Sequence, residues 1–310
     1  MENRSKFFLR TLVPTFIIFG LQTLCSIIVT EMAVAVEAKN FTGNSIADFF
    51  TEILSEKSVA VINQWTLVVY SLVAIVLFGV MYYMFFYNKN GKYYENVAPI
   101  EKSKELSVKF SGYKIIMLIM GVAILSVAMF LVNMYIISVI GIISPESMIE
   151  LAELEAMSGL TGEYASPWIL VYAVVIGPIA EELAFRGLTM ESAKRTSGFV
   201  GANIIQAVLF AGMHMNIAQA IYAFALGLIF GYIYHLSGNI LITIIIHIIY
   251  NGIACALDSF EMAIDSNPII FFVTLVLSLC GAYAGIILIR KSLPDSGENI
   301  VNDFVEESDN

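Results

Sequence analysis

The chain has 310 residues, of which 58% are apolar and only 14% are charged, whereas soluble domains usually carry ~25% charged residues. This excludes an ordinary soluble protein, because a soluble fold cannot bury so much apolar surface and a bilayer can. The net charge of -10 argues against a nucleic-acid partner, and three cysteines without a CxxC motif predict neither disulfides nor a cysteine metal site.

Eight apolar segments are long enough to cross a bilayer, which takes roughly 20 residues each. They predict an all-α polytopic membrane protein with about eight transmembrane helices. The first segment exceeds the ~7–15 apolar residues of a signal peptide, so we favour an uncleaved anchor over a cleaved signal. The segments lie near residues 11–33, 62–87, 114–143, 167–190, 199–215, 219–235, 240–256 and 269–290.

These segments divide the chain into four parts. Residues 1–166 hold three transmembrane helices and their loops, 167–257 a candidate catalytic core, 258–292 the last transmembrane helix, and 293–310 an acidic tail expected to be disordered. A short helix is expected at Ser45–Leu54, and the acidic residues between 146 and 163 are interpreted as solvated loop residues.

Basic residues predict the orientation in the membrane. Of the 16 lysines and arginines, only Lys39 and Lys57 fall outside if the N-terminus is cytoplasmic, and the other fourteen fall inside. Cytoplasmic loops are enriched in basic residues. Both termini are therefore predicted to be cytoplasmic.

Adjacent carboxylates interrupt the fourth apolar segment. Glu181 and Glu182, with Arg186 following, come after a stretch from residue 168 to 180 without any charge. A charge in the hydrocarbon costs at least ~2.5–3.5 kcal/mol, so such residues usually pair and have a function. The four-residue spacing predicts an ion pair between Glu182 and Arg186. Glu181 is turned about 100° away on a helix and can face another partner; a charged helix end at the membrane surface is the alternative.

Two histidines are predicted to lie at the same depth in the bilayer as Glu181. The midpoint between Glu181 and His214 lies at a predicted turn, Ser197-Gly198, so an antiparallel helix pair folded there holds both side chains at one level. His247 lies roughly 12 Å above the next predicted turn, at residues 237–239. All three are therefore expected in the cytoplasmic half of the bilayer.

Other polar residues in these spans have structural interpretations. Asn203 and Gln206 are expected to form hydrogen bonds between helices. Pro178 cannot donate a backbone hydrogen bond and is expected to kink the helix that carries Glu181.

Three motifs in sequence carry a resemblance. Glu181-Glu182-x-x-x-Arg186, then Phe210-x-x-x-His214, then His247-x-x-x-Asn251 resemble the CAAX-protease and bacteriocin-processing (Abi) family, which includes the type II CAAX prenyl endopeptidases. The likeness covers about 168–257. It implies an eight-helix intramembrane endopeptidase, integral to the plasma membrane of a prokaryote, whose site opens towards the cytoplasm.

The resemblance also implies roles for these residues. Glu181 and His214 would activate water, and His247 and Asn251 would stabilise the oxyanion. Glu182, Arg186 and Phe210 would be supporting residues. The stretch between His214 and His247 is shorter than in the eukaryotic prenyl proteases. The implied partners are membrane lipid and a peptide or protein substrate, membrane-associated or prenylated.

The chemistry of these residue types agrees with peptide hydrolysis, which needs a base for water and donors for the developing oxyanion. We expect no cofactor. Zinc is the alternative, because Glu181, His214 and His247 would form a His₂Glu set with an open position, although no HExxH motif is present.

Two further classes of function stay open. An ion-coupled transporter would also need carboxylates and histidines in the membrane, but the chain has no internal repeat. A non-catalytic immunity or scaffold protein is the other alternative.

The predicted topology is testable by cysteine labelling. In a background lacking the native cysteines, cysteines at Ser45, Glu153 and Ser259 should react with an impermeant thiol reagent added outside the cell. Those at Ser103 and Ser296 should react only after permeabilisation, because the basic asymmetry places both sites inside. Labelling of position 103 in intact cells would overturn the eight-span arrangement.

Overall fold

The computed structural model describes residues 2–43, 45–87, 112–158, 163–257 and 268–293, and every regular element in these ranges is helical. The basic loop 88–111 and residues 294–310 of the predicted tail lie outside the described residues. The α-helices are α1 (Glu2–Asn40), α2 (Ile46–Ile53), α3 (Glu56–Tyr82), α4 (Gly112–Ile143), α5 (Pro145–Ser158), α6 (Pro167–Val171), α7 (Gly177–Glu182), α8 (Glu191–Gly212), α9 (Ile217–Ser237), α10 (Ile240–Leu257) and α11 (Pro268–Ser292). Three π-helical segments accompany them: π1 (Tyr83–Tyr87), π2 (Tyr172–Ile176) and π3 (Leu183–Met190).

The all-α, multi-pass membrane architecture is confirmed. Seven helical segments within the described ranges are long and apolar enough to cross a bilayer. Their large apolar side chains face outwards, as at Phe16 and Ile142, which are 69% and 81% exposed. Lipid can cover such a surface, whereas water would make it unfavourable.

The fourth and fifth predicted spans form one helical segment, Pro167–Gly212, of 46 residues. A straight α-helix of that length would measure roughly 69 Å, about twice the thickness of the hydrocarbon core. Gly198 interrupts it with φ 65° and ψ -171°, a backbone conformation that glycine adopts far more readily than other residues. This break lies at the predicted Ser197-Gly198 turn.

The chain folds back on itself at Gly198. Phe185 and Phe210 lie thirteen residues before it and twelve after it, yet their ring centroids are only 5.3 Å apart. The two arms are therefore antiparallel, as predicted. A second predicted turn, at residues 237–239, is present between α9 and α10, where Gly238 has φ 58°.

Two helices lie in the predicted loops. Helix α2 matches the short helix expected at Ser45–Leu54, and the Ser45 hydroxyl caps it by accepting from the Asp48 N–H at 3.1 Å. The 14-residue helix α5 was not predicted. Its Leu151 is buried in a cluster with Ile140 and Ala218, so burial of one face favours a helix where the many acids indicated a solvated loop.

The first of two compact units comprises Met1–Glu95 and Ile136–Gly231. Helices α1, α3, α7 and α8 and segment π3 pack around its core. Each contributes fully or nearly fully buried side chains, among them Ile18, Tyr70, Phe78, Ala180, Phe185 and Phe210.

Close contact between α8 and α9 depends on small residues and amides. A Cβ atom at Gly227 would lie 3.0 Å from the Ala207 Cα, and one at Gly231 would collide with Asn203 and Gln206. Asn203 Nδ2 donates to the Leu228 carbonyl at 3.1 Å, and Gln206 Nε2 donates to the Gly227 carbonyl at 2.8 Å. The predicted hydrogen bonds between helices are therefore present.

The second unit comprises Asn96–Tyr135 and Tyr232–Asn310. Helices α4 and α11 approach closely within it, because a Cβ atom at Gly285 would lie 2.8 Å from the Leu125 Cβ and 2.9 Å from the Gly121 carbonyl oxygen. The Tyr135 hydroxyl donates to the Phe271 carbonyl at 3.0 Å. Small residues let helices pack tightly in lipid, where little hydrophobic force drives them together.

The α4–α11 contact generates a prediction with a matched control. Gly285→Ala should lower the free energy of unfolding by about 1–3 kcal/mol, because the added methyl overpacks against backbone. Gly79→Ala should be neutral or slightly stabilising, since nothing lies within 4 Å of its Cβ position and alanine favours a helix. Thermal and denaturant unfolding in detergent measures both. Equal stability of the two variants would contradict the close approach.

Candidate active site

The ion pair expected from the four-residue spacing is present. Arg186 Nη1 donates to Glu182 Oε1 at 2.8 Å, and both side chains are fully buried. The guanidinium carbon lies 4.6 Å from the ring centre of Phe210 and 5.3 Å from that of Phe230. The cation is thus held between two aromatic faces, an arrangement that strengthens as water is excluded.

Arg186 connects three helical elements. Arg186 lies on π3, its ring contacts come from α8 and α9, and its Nη2 donates to the Gly227 carbonyl at 3.5 Å. Arg186 is the largest fully buried side chain of the described residues. Because no atom of the pair reaches solvent, it is suited to holding helices together and not to contacting a substrate. This is consistent with the predicted supporting role.

Glu181 faces a different environment from its neighbour. It is partly exposed, and its carboxylate interacts electrostatically with the hydroxyls of Tyr70, Tyr172 and Tyr222 and with Arg186. The three tyrosines come from α3, π2 and α9. Sequence reasoning missed them, because tyrosines in membrane helices are commonly interfacial anchors and no spacing relates residues so far apart.

His214 lies in a turn, and not on a helix as predicted. Helix α8 ends at Gly212, and Met215, with φ 57°, directs the chain towards α9. The His214 ring still reaches back one turn, and Nδ1 lies 2.9 Å from the Phe210 carbonyl oxygen. A carbonyl can only accept, so Nδ1 carries the proton. In the neutral imidazole the lone pair is then on Nε2.

The fold-back at Gly198 places the segments that carry Glu181 and His214 side by side. Phe185 contacts Phe210; Glu181 lies four residues before the first ring, and His214 four residues after the second. In antiparallel arms these steps run in the same direction, about one helical turn each. The geometry of the first unit is therefore consistent with the predicted common depth of this pair.

His247 and Asn251 lie on α10, in the second unit. His247 is 3% exposed, Asn251 is partly exposed, and their spacing places them on one face of the helix. That these residues join Glu181 and His214 in one site stays a prediction.

The residues that the structure describes include no group of three or more His, Cys, Asp or Glu side chains arranged to hold a metal ion. The zinc set of Glu181, His214 and His247 is therefore supported by the sequence pattern alone. Metal dependence, in either direction, remains a prediction.

The apolar helices and the buried Glu182–Arg186 ion pair are those of a multi-pass α-helical membrane protein with charged residues in the core of its first unit. Residues 163–253 match the family model of the Rce1-like type II CAAX prenyl endopeptidases, and this segment contains all seven predicted site residues. Over this segment, the match confirms the resemblance to the CAAX-protease and bacteriocin-processing family found in the sequence.

One similar protein is the "Putative membrane peptidase YdiL" of Bacillus subtilis (strain 168). It is 26% identical over 87 residues, which cover 28% of this chain and 36% of that protein. The likeness thus spans little more than a third of the relative. No solved structure matches this chain significantly.

The buried ion pair generates a stability prediction. Arg186→Ala should lower the free energy of unfolding by about 3–5 kcal/mol, because it leaves the Glu182 carboxylate buried without its cation. Denaturant titration of the purified protein in detergent measures the loss.

Lys194→Ala is the matched control. Lys194 pairs with Glu191 at the same 2.8 Å, but its side chain is 25% exposed, so the loss should be under about 1 kcal/mol. The double variant Glu182→Leu with Arg186→Met should recover part of the stability. If Arg186→Ala is as stable as Lys194→Ala, the pair does not hold these helices together.

Proposed function

We propose that this protein is an intramembrane endopeptidase that hydrolyses a peptide bond near the cytoplasmic face of the membrane. The observation that supports the proposal is the fold-back at Gly198, which packs the arm that carries Glu181 against the arm that leads to His214, as the contact between Phe185 and Phe210 indicates. Both arms lie inside the segment that matches the prenyl endopeptidase family.

In the proposed reaction Glu181 is the general base. It takes a proton from a water molecule as the water oxygen attacks the carbonyl carbon of the substrate. His214 orients the same water through Nε2, which is supported by the donation of its Nδ1–H to the Phe210 carbonyl. A histidine held in one tautomer loses less orientational freedom when it binds water.

His247 and Asn251 complete the proposed reaction. An imidazole N–H and the Asn251 amide can donate to the carbonyl oxygen as it becomes negative, which stabilises the tetrahedral intermediate. When the intermediate collapses, the C–N bond breaks and the leaving amine takes the proton that Glu181 received. Atoms and charge then balance without another reactant.

The proposed substrate is a peptide or protein segment at the membrane. The matched family is described as prenyl endopeptidases, so a prenylated C-terminal segment is one candidate. The short connection between His214 and His247 makes a non-prenylated, membrane-associated peptide the other.

The zinc alternative uses the same residues differently. Glu181, His214 and His247 would be ligands, and the ion would supply Lewis-acid activation of a bound water. Asparagine is not part of that ligand set. Loss of activity in Asn251→Ala, with normal folding, would thus support an oxyanion role under either mechanism.

A carboxylate-to-amide substitution tests the proposal. Glu181→Gln keeps the shape and removes the base, so kcat should fall at least about 10²-fold. The measurement uses the full chain in liposomes with a peptide library that includes farnesylated peptides, and mass spectrometry identifies the cleaved bonds. Elemental analysis and added chelator determine metal dependence on the same samples.

Glu191→Gln is the control, because it makes the same chemical change at another carboxylate of the same helical segment, one paired with Lys194. It should leave kcat unchanged. Cleavage by Glu181→Gln at the wild-type rate would refute the assignment. About one zinc per chain, lost with activity in His247→Ala, would instead favour the metal mechanism.

A further inference from the structure

Two tyrosines form a hydroxyl pair in the core of the first unit. Tyr70 on α3 and Tyr172 on π2 have their hydroxyl oxygens 3.4 Å apart, and their rings meet edge to face at 6.5 Å. Tyr70 is only 3% exposed, and the polar side chain of Gln22 on α1 lies near its hydroxyl. Polar groups from three elements therefore come together here.

The Tyr172 ring extends towards Glu181. A Cβ atom at Gly177 would lie 3.5 Å from Cε2 and 3.6 Å from Cζ of this ring, so the hydroxyl-bearing end of the ring covers Gly177. Glu181 lies four residues further on, one turn along the same face of α7. The electrostatic interaction of Glu181 with both tyrosines agrees with this placement.

The π-helical segment explains this ring direction. Side chains on an α-helix lean towards its N-terminus, whereas the Tyr172 ring lies over the following turn. Pro178 has no N–H to continue the α-helical ladder, and the Gly177 N–H instead donates to the carbonyl of Tyr172, five residues back. Such π turns occur frequently at functional sites.

Hydrogen-bond polarity sets a direction along the pair. A carboxylate can only accept, and each tyrosine hydroxyl has one proton to donate. If Tyr172 donates to Glu181, then Tyr70 donates to Tyr172. Each bond in such a chain polarises the next and strengthens the last one.

We propose that Tyr172, oriented by Tyr70, is a positioning residue that holds one oxygen of the Glu181 carboxylate and turns the other towards the water molecule. The inference rests on the proposed function. Phenylalanine would fill the same core volume without the cost of burying two hydroxyls, so packing alone does not account for the pair.

The test removes single hydroxyls and keeps the rings. Tyr172→Phe should lower kcat about 10- to 100-fold, because it removes a hydrogen bond to a charged group, while KM stays within about twofold. Tyr70→Phe should lower kcat less. The double variant should be no slower than Tyr172→Phe alone, since Tyr70 acts through Tyr172.

Tyr135→Phe is the matched control. It also removes a buried tyrosine hydroxyl, which donates to the Phe271 carbonyl in the second unit, so it should reduce stability without changing kcat. Thermal unfolding of all variants separates stability from catalysis.

Glu181→Gln, measured in parallel, distinguishes the two proposals. If Glu181→Gln is inactive and Tyr172→Phe keeps the wild-type kcat, the positioning role is overturned and the protease assignment stands. Additive losses in the Tyr70 and Tyr172 variants would also overturn it, because independent effects do not describe a chain. Full activity of Glu181→Gln would refute the proposed function itself.

Discussion

The structure of the first unit depends on a charged pair that is kept completely out of water. Glu182 and Arg186 are both fully buried, and in a bilayer neither could be left alone without a large cost in free energy. Arg186 therefore requires Glu182 beside it, aromatic faces around it and a backbone carbonyl of α9 within reach. These contacts of Arg186 determine how π3, α8 and α9 pack against one another.

Adjacent glutamates have opposite environments because of this constraint. Consecutive helical residues point about 100° apart, so when Glu182 turns inwards to Arg186, Glu181 turns to another side, where it interacts electrostatically with Tyr70 and Tyr172. Phe210 connects the two environments: its ring covers the guanidinium, and its carbonyl accepts from His214. One buried ion pair thus supports both residues proposed to activate water.

Helix association follows the rules of a membrane protein. Lipid contacts apolar side chains as favourably as other helices do, so shape and polar bonds must select the contacts. Gly227 and Gly231 bring α9 against α8, where Asn203 and Gln206 donate to backbone carbonyls. Gly121 and Gly285 play the same steric part between α4 and α11. These glycines are needed for close approach, and not for an unusual backbone conformation.

The sequence alone determined the membrane class, the turns at Gly198 and Gly238, the Glu182–Arg186 pair and the resemblance to the prenyl endopeptidases, because hydropathy, glycine and four-residue spacings are local signals. It could not determine that His214 lies in a turn, that residues 145–158 form a helix, or that tyrosines of α3 and π2 interact electrostatically with Glu181. Those features depend on which side chains become buried together. Contacts between residues about a hundred positions apart produce no periodic pattern in the sequence. They are determined only by tertiary packing.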